Sequence, residues 1–281
     1  MSLTAQPQQH IGTTRLQGTF YQLLARGLVA GLLAGLLAGA VAFLAGEQHI
    51  EAAIAIEQAE QSSTRHDAAV AAETEADNPQ HESAQHSHEE GEALVSRDGQ
   101  RIGLFLATAL GGGALGALYA AFISVARTRS QLSGVTLSLI TAGCGWLAIE
   151  AVPFLKYPAN PPAVGDPETI DQRTLLWLAA VVVGFAAVAA AAVAYRRLGS
   201  SGMDSVRAAG AAAVFAIIVA AGYLLLPAVN EVGSDFPASL LWDFRISSAL
   251  TQATLWLALG VIFAGLSEYA TRSPVQRLRR T

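Results

Sequence analysis

A single cysteine, Cys144, and a single lysine, Lys156, occur in 281 residues. The thiol lies inside an apolar run, so there is no disulfide framework and sulfur carries no information about compartment. Charge is scarce as well: 14% of residues are charged, against about a quarter in an ordinary soluble domain. The six histidines fall at positions 10, 49, 66, 81, 86 and 88, outside every long apolar run. That placement argues against a haem held by two membrane histidines and against an intramembrane protease with a histidine base. No GxxxxGK(S/T) phosphate loop is present, so the chain does not itself use a nucleotide through one. The expectation is a protein that is not an enzyme.

What the sequence does have is apolar residues, 52% of the total, with a mean hydropathy of +0.40. They come in blocks long enough to cross roughly 30 Å of hydrocarbon. Six such windows are found, at 23–45, 102–126, 132–152, 175–195, 208–226 and 246–268. Exposed backbone is not tolerated in lipid, so these are helices, and the alternating ten-residue strands of a barrel are absent. The first block is too long for the core of a cleaved signal and reads as an anchor. The predicted fold is an all-α, polytopic membrane helical bundle of about six transmembrane helices.

The organisation follows. Residues 1–22 form a cytoplasmic segment, 23–45 the first span, and 46–101 an acidic, histidine-containing outer loop. Residues 102–268 form five further spans with outer loops at 153–174 and 227–245, and 269–281 a basic cytoplasmic tail. Basic residues set the direction. Eleven arginines (15, 26, 127, 129, 196, 197, 207, 272, 277, 279 and 280) fall on the side of the termini. Six basic residues (Arg65, Arg97, Arg101, Lys156, Arg173 and Arg245) fall on the other. Both termini are therefore expected in the cytoplasm.

Three features stand out along the chain. Gly27, Gly31, Gly35 and Gly39 repeat every four residues in the first span and make a small-residue stripe for close helix packing. The partner is either another helix of this chain or a separate small membrane subunit. Residues 46–100 carry thirteen acids and two arginines. Their first part, 47–75, is rich in alanine and glutamate and is able to prolong the first helix. Finally, "PANPPAVGDP" can be laid beside "PAVNEVGSDFP", which raises the prospect of a duplicated helix-loop-helix unit.

Chemistry points to cations. "QHESAQHSHEE" gathers His81, His86, His88, Glu89 and Glu90, with His66 upstream. Imidazole suits borderline divalent ions such as cobalt, nickel and zinc, and must be neutral to bind them. The bland alternative is a solvated acidic loop. The run Pro153–Ile170 has five prolines, which remove N–H donors but keep carbonyl acceptors and hold their predecessors extended. Such an oxygen-rich, stiff segment beside Asn160 and Asp166 is suited to replacing the hydration shell of a cation. The alternative is a rigid turn. Apart from Glu268, the last residue of the sixth window, Glu150 is the one acid within a predicted span and so a transport-pathway candidate, with Asn230 and Glu231 the polar pair of the second loop.

"VPFLKYPANPPAVGDPETIDQRT" and "LLPAVNEVGSDFPASLLWDFRISSALTQ", with the glycine-rich spans and the histidine loop, resemble the CbtA family of predicted cobalt transporter subunits. The resemblance covers nearly all of the chain from residue 20. It implies cobalt uptake across the bacterial cytoplasmic membrane in connection with cobalamin synthesis. It also implies a small one-span CbtB-like partner with its own histidines. The family is commonly described with about five spans, one fewer than counted here. Asn160, Pro161, Asp166, Asn230 and Glu231 come across as family-pattern positions; no ligand set does.

The leading reading is thus an uptake subunit with Co(2+) as transported ion, no tightly bound cofactor, no nucleic-acid partner, and the lipid bilayer as solvent. A non-transporting metal-binding scaffold and a metal exporter are the alternatives.

Overall fold

The computed structural model describes residues 15–75 and 97–271, and among them every regular element is helical. In the first span, α1 (Phe20–Val41), leucine and alanine favour the helix and the four-residue glycine repeat leaves one face bare. A π turn (Ala42–Gly46) leads directly into α2 (Glu47–Glu75). The uninterrupted stretch Phe20–Ser63 has 44 residues. At 1.5 Å per residue it is about twice the ~30 Å of a bilayer core, so the glutamate-rich α2 reaches beyond the apolar layer, as its composition led one to expect.

The remaining elements are α3 (Arg97–Arg129), α4 (Gly134–Trp146), a second π turn (Leu147–Ala151), and the short α5 (Val152–Lys156). After them come α6 (Ile170–Arg197), α7 (Asp204–Leu225) and α8 (Ala238–Thr271). Ser133 caps α4 by accepting from the Thr136 N–H at 3.1 Å, which stabilises the helix start. Six stretches are long and apolar enough to cross a membrane: Phe20–Ser63, Gly99–Arg129, Gly134–Lys156, Pro167–Arg197, Asp204–Leu225 and Ala238–Thr271. They correspond one to one with the six sequence windows.

The chain divides into two compact units. The first comprises Met1–Ala38, Leu106–Leu147 and Gln252–Thr281. There the glycine stripe of α1 meets that of α3. A Cβ on Gly27, Gly31 or Gly35 would collide with the backbone carbonyl of Gly116, Gly112 or Thr108 respectively. The stripe is therefore filled at these three positions by the chain's own helix, not by a separate subunit. Gly39 is also buried. Gly145 similarly accommodates the Trp256 ring, and Gly260 the Ala142 methyl. Tyr119 packs edge-on to Phe263 at 5.1 Å and donates to the Ser138 carbonyl at 2.7 Å.

The second unit comprises Gly39–Phe105 and Ala148–Thr251. Its helices also pack through glycines, Gly184 against Ala148 and Gly222 against Val183. Arg101 stands over the Phe43 ring at 5.8 Å and reaches Glu47 at 3.4 Å and Glu51 at 3.6 Å. Both proline-containing loops belong to this unit.

Candidate functional site

The two loops meet. Tyr157, at the end of α5, donates to the Pro227 carbonyl at 2.7 Å. Tyr223, at the end of α7, donates in return to the Val152 carbonyl, and Lys156 Nζ donates to the Tyr223 carbonyl at 3.0 Å. Partial burial pushes the Tyr157 phenol above its ordinary pKa. Arg245 of α8 reaches across to the Ala159 carbonyl at 3.3 Å and to Asn160 Oδ1 at 3.0 Å.

Glu231 is the main fastening. Its carboxylate accepts from the Asp166 N–H at 3.2 Å and from Thr169 Oγ1 at 2.5 Å, and pairs with Arg173 at 3.2 Å. Only 14% of the side chain is exposed. Charge-assisted bonds of this kind are worth about 2 kcal/mol each. Asp166 in turn caps a single 3-10 turn (Pro167–Thr169), its Oδ1 accepting from the Glu168 N–H at 2.9 Å. Two backbone details make the fastening fit. Ala163 follows two prolines in the left-handed region, φ 64°, closing a turn in which the Val164 N–H donates to the Pro161 carbonyl at 3.2 Å. Strain at a residue with a Cβ is characteristic of functional sites. Gly165 has φ 118°, and a Cβ there would lie 2.5 Å from Arg173 Nη1 and 3.1 Å from Glu231 Oε2.

This revises the expected role of the proline loop. Its carbonyls were read as unpaired acceptors, yet those of Ala159, Pro161 and Asp166 are occupied by N–H donors, and that of Pro227 in the second loop by the Tyr157 hydroxyl. Proline stiffens the loop and side chains from neighbouring elements satisfy it. The oxygens facing solvent are instead carboxylates. Glu60, Asp166, Glu231 and Asp235 line an open cavity of about 540 Å³, together with Ala163, Gly165, Gly233, Ser234 and Phe236. The aligned Val-Gly-acid pieces of the two loops thus both contribute to one cavity, Gly165 and Asp166 from one, Gly233 and Asp235 from the other. Among the described residues no basic side chain lines it.

The other predicted residues separate into three groups. Asn160 and Asn230 make bonds that shape the loops, Asn230 Oδ1 accepting from the Val232 N–H at 3.4 Å. Glu150 sits in the second π turn, partly buried; such bulges are frequent at functional sites. His66 is exposed on α2, whereas His81, His86, His88, Glu89 and Glu90 lie outside the described residues. Among the described residues no three His, Cys, Asp or Glu side chains form a group that would hold a metal.

Sequence reasoning passed over three residues. Glu60 and Asp235 line the cavity; Glu60 belongs to no motif, and Asp235, the acid of "PAVNEVGSDFP", was not singled out as a site residue. His49 follows the first π turn, and its Nδ1 is buried without a hydrogen-bond partner. An unsatisfied buried nitrogen costs about 1–3 kcal/mol and calls for an explanation. Its position three residues after Gly46, and four before the buried Ala53, was the available signal.

The family described as "Probable cobalt transporter subunit (CbtA)" matches residues 20–268. The chain belongs to the CbtA family. No curated protein and no solved structure matches it. The CbtA match spans both units, the π turns and both loops, and the word subunit implies at least one further chain. With six span-length helices, this CbtA-family chain is a multi-pass membrane protein.

Proposed function

We propose that this chain is the membrane subunit of a divalent cobalt uptake system and that the clamped loops form its outer mouth. The observation that carries the reading is the cavity of about 540 Å³ lined by four carboxylates and no cation, at the meeting of the two loops. A divalent ion is drawn to such a site twice as strongly as a monovalent one, and oxygen ligands exchange readily enough to release it inward. Glu231 and Arg245 hold the mouth in shape. Glu60, Asp166 and Asp235 attract the ion. Glu150 and the unpartnered His49 are the candidates for the next contacts along the pathway. The histidine-rich segment 81–90 serves as an outer collector, joined to the mouth through α2, which carries both Glu60 and His66.

Direction follows from the arginines. Those at α3 and α6 C-termini, Arg127, Arg129, Arg196 and Arg197, mark the cytoplasmic end under the positive-inside rule, so both termini lie in the cytoplasm and the loops face out. The membrane is the bacterial cytoplasmic membrane. A one-span CbtB-like subunit completes the transporter, and the cobalt serves cobalamin synthesis.

The test is flux of radioactive cobalt into proteoliposomes carrying this chain with and without a one-span partner. Accumulation that depends on the protein, and falls when Glu60 and Asp235 are neutralised, supports the proposal. Cobalt binding without movement under both conditions rejects transport and leaves a metal-binding scaffold.

A further inference from the structure

A second cavity lies in the first unit. It has a volume of about 290 Å³ and is bounded by Arg15, Arg127, Thr128, Ser130, Leu132 and Leu137, with Leu16 behind them. Its lining differs in kind from that of the acidic mouth. Two arginines border one space, and no carboxylate among the described residues does.

Neither arginine is neutralised there. Arg15 makes no hydrogen bond or ion pair among the described residues. Arg127 uses Nη1 alone, donating to the Gly18 carbonyl at 2.8 Å and the Leu16 carbonyl at 3.5 Å. Those two bonds fix the guanidinium in place and leave Nε and Nη2 without a partner among the described residues. Ser130 Oγ accepts from the Leu132 N–H at 3.2 Å, so its own proton remains to be donated. Thr128 Oγ1 spends its proton on the Val125 carbonyl at 2.7 Å and adds no donor. Glu268 borders a smaller neighbouring cavity that also touches Arg15, not this one.

One guanidinium anchored on two backbone carbonyls, a second that carries no bond among the described residues, and a hydroxyl are donors matched to phosphate oxygens. The rest of the wall is apolar: Leu16 and Leu137 are buried, and Leu132 is 41% exposed. The site lies where two span-length stretches end and begin, at Arg129 and Gly134. A free phosphate or a nucleotide gains nothing from three leucines. A phosphodiester with acyl chains places its phosphate between the arginines and lays a chain over Leu132. We propose that this cavity binds the headgroup phosphate of an anionic phospholipid.

Full-length protein purified in a zwitterionic detergent and stripped of lipid is mixed with phosphatidylglycerol or phosphatidylcholine, and lipid retention is read by native mass spectrometry. Wild type is expected to retain phosphatidylglycerol in preference to phosphatidylcholine. Arg15→Gln, which breaks no bond among the described residues, is expected to lower that retention about fivefold, as loss of one basic contact implies. Arg207→Gln, at the exposed start of α7, is expected to leave it unchanged. Equal retention of the two lipids, or equal loss in Arg15→Gln and Arg207→Gln, overturns the proposal. Millimolar inorganic phosphate that displaces the lipid completely while wild type shows no lipid preference overturns it too, assigning the site to free phosphate.

Discussion

The helix seam of the first unit and the loops of the second are fastened by opposite means. In the first, α1 and α3 approach where side chains are missing, and the carbonyls of Gly112, Gly116 and Thr108 occupy the space a Cβ would need. In the second, the loops are fastened by side chains that reach across, Glu231 to Thr169 and Arg173, Arg245 to Asn160, Tyr157 to Pro227. Backbone packing tolerates almost no substitution, because neither helix can yield without moving whole. Polar fastening weakens one bond at a time. In lipid no hydrophobic force pulls helices together, so a tight glycine seam suits the buried scaffold. Near an aqueous surface, polar bonds can be made and exchanged, which suits the outer mouth proposed above.

The largest expected effect tests the scaffold side. Gly31→Leu forces a four-carbon side chain into the Gly112 carbonyl; the cost exceeds the roughly 1–3 kcal/mol of ordinary overpacking. Membrane-inserted, folded protein should be lost, as read by fluorescence size-exclusion chromatography. Normal yield of Gly31→Leu would show that the α1–α3 seam is not what holds the unit.

Next comes the loop fastening. Glu231→Ala removes a largely buried carboxylate and strands Arg173, costing about 2–4 kcal/mol locally. Protein should still accumulate, but limited proteolysis should cut within residues 158–169 and cobalt uptake should fall at least tenfold. Unchanged cleavage would break the contrast between the two regions. Arg245→Gln, which loses two bonds to the proline loop, should give a milder version, with uptake reduced about threefold and a Tm lowered by a few degrees.

A subtler contrast concerns His49. If its unpartnered Nδ1 serves the ion, His49→Phe should keep or raise thermal stability, since an orphaned buried nitrogen is removed, while uptake falls. A drop in stability with uptake intact would assign the histidine to packing.

Much of the fold was legible because membrane helices announce themselves by length. All six windows are recovered, and Gly46 to Glu75 does prolong the first helix. Local patterns also carried the glycine seam, whose partner helix, α3, places Gly112 and Gly116 at the same four-residue spacing. The site was legible only in part. "PANPPAVGDP" and "PAVNEVGSDFP" were correctly singled out, since proline and paired Val-Gly-acid pieces are visible in one dimension. That their carbonyls would be consumed was not, because Arg245 and Tyr157 reach them from elements distant in the sequence. Glu60 was hidden for the same reason: one glutamate among many on α2 gains meaning only from the loop it faces. The two π turns follow from no residue pattern, as Ala42–Gly46 and Leu147–Ala151 have ordinary helical composition.

The most direct test of the central claim is the concentration dependence of cobalt uptake by the Glu60→Gln, Asp235→Asn double variant. Neither residue takes part in the Glu231 or Arg245 bonds described above, so the mouth should stay closed up while its charge falls. The account predicts a KM for cobalt raised about tenfold, equivalent to about 1.4 kcal/mol, with the maximal rate and protein level unchanged. An unaltered KM would contradict it.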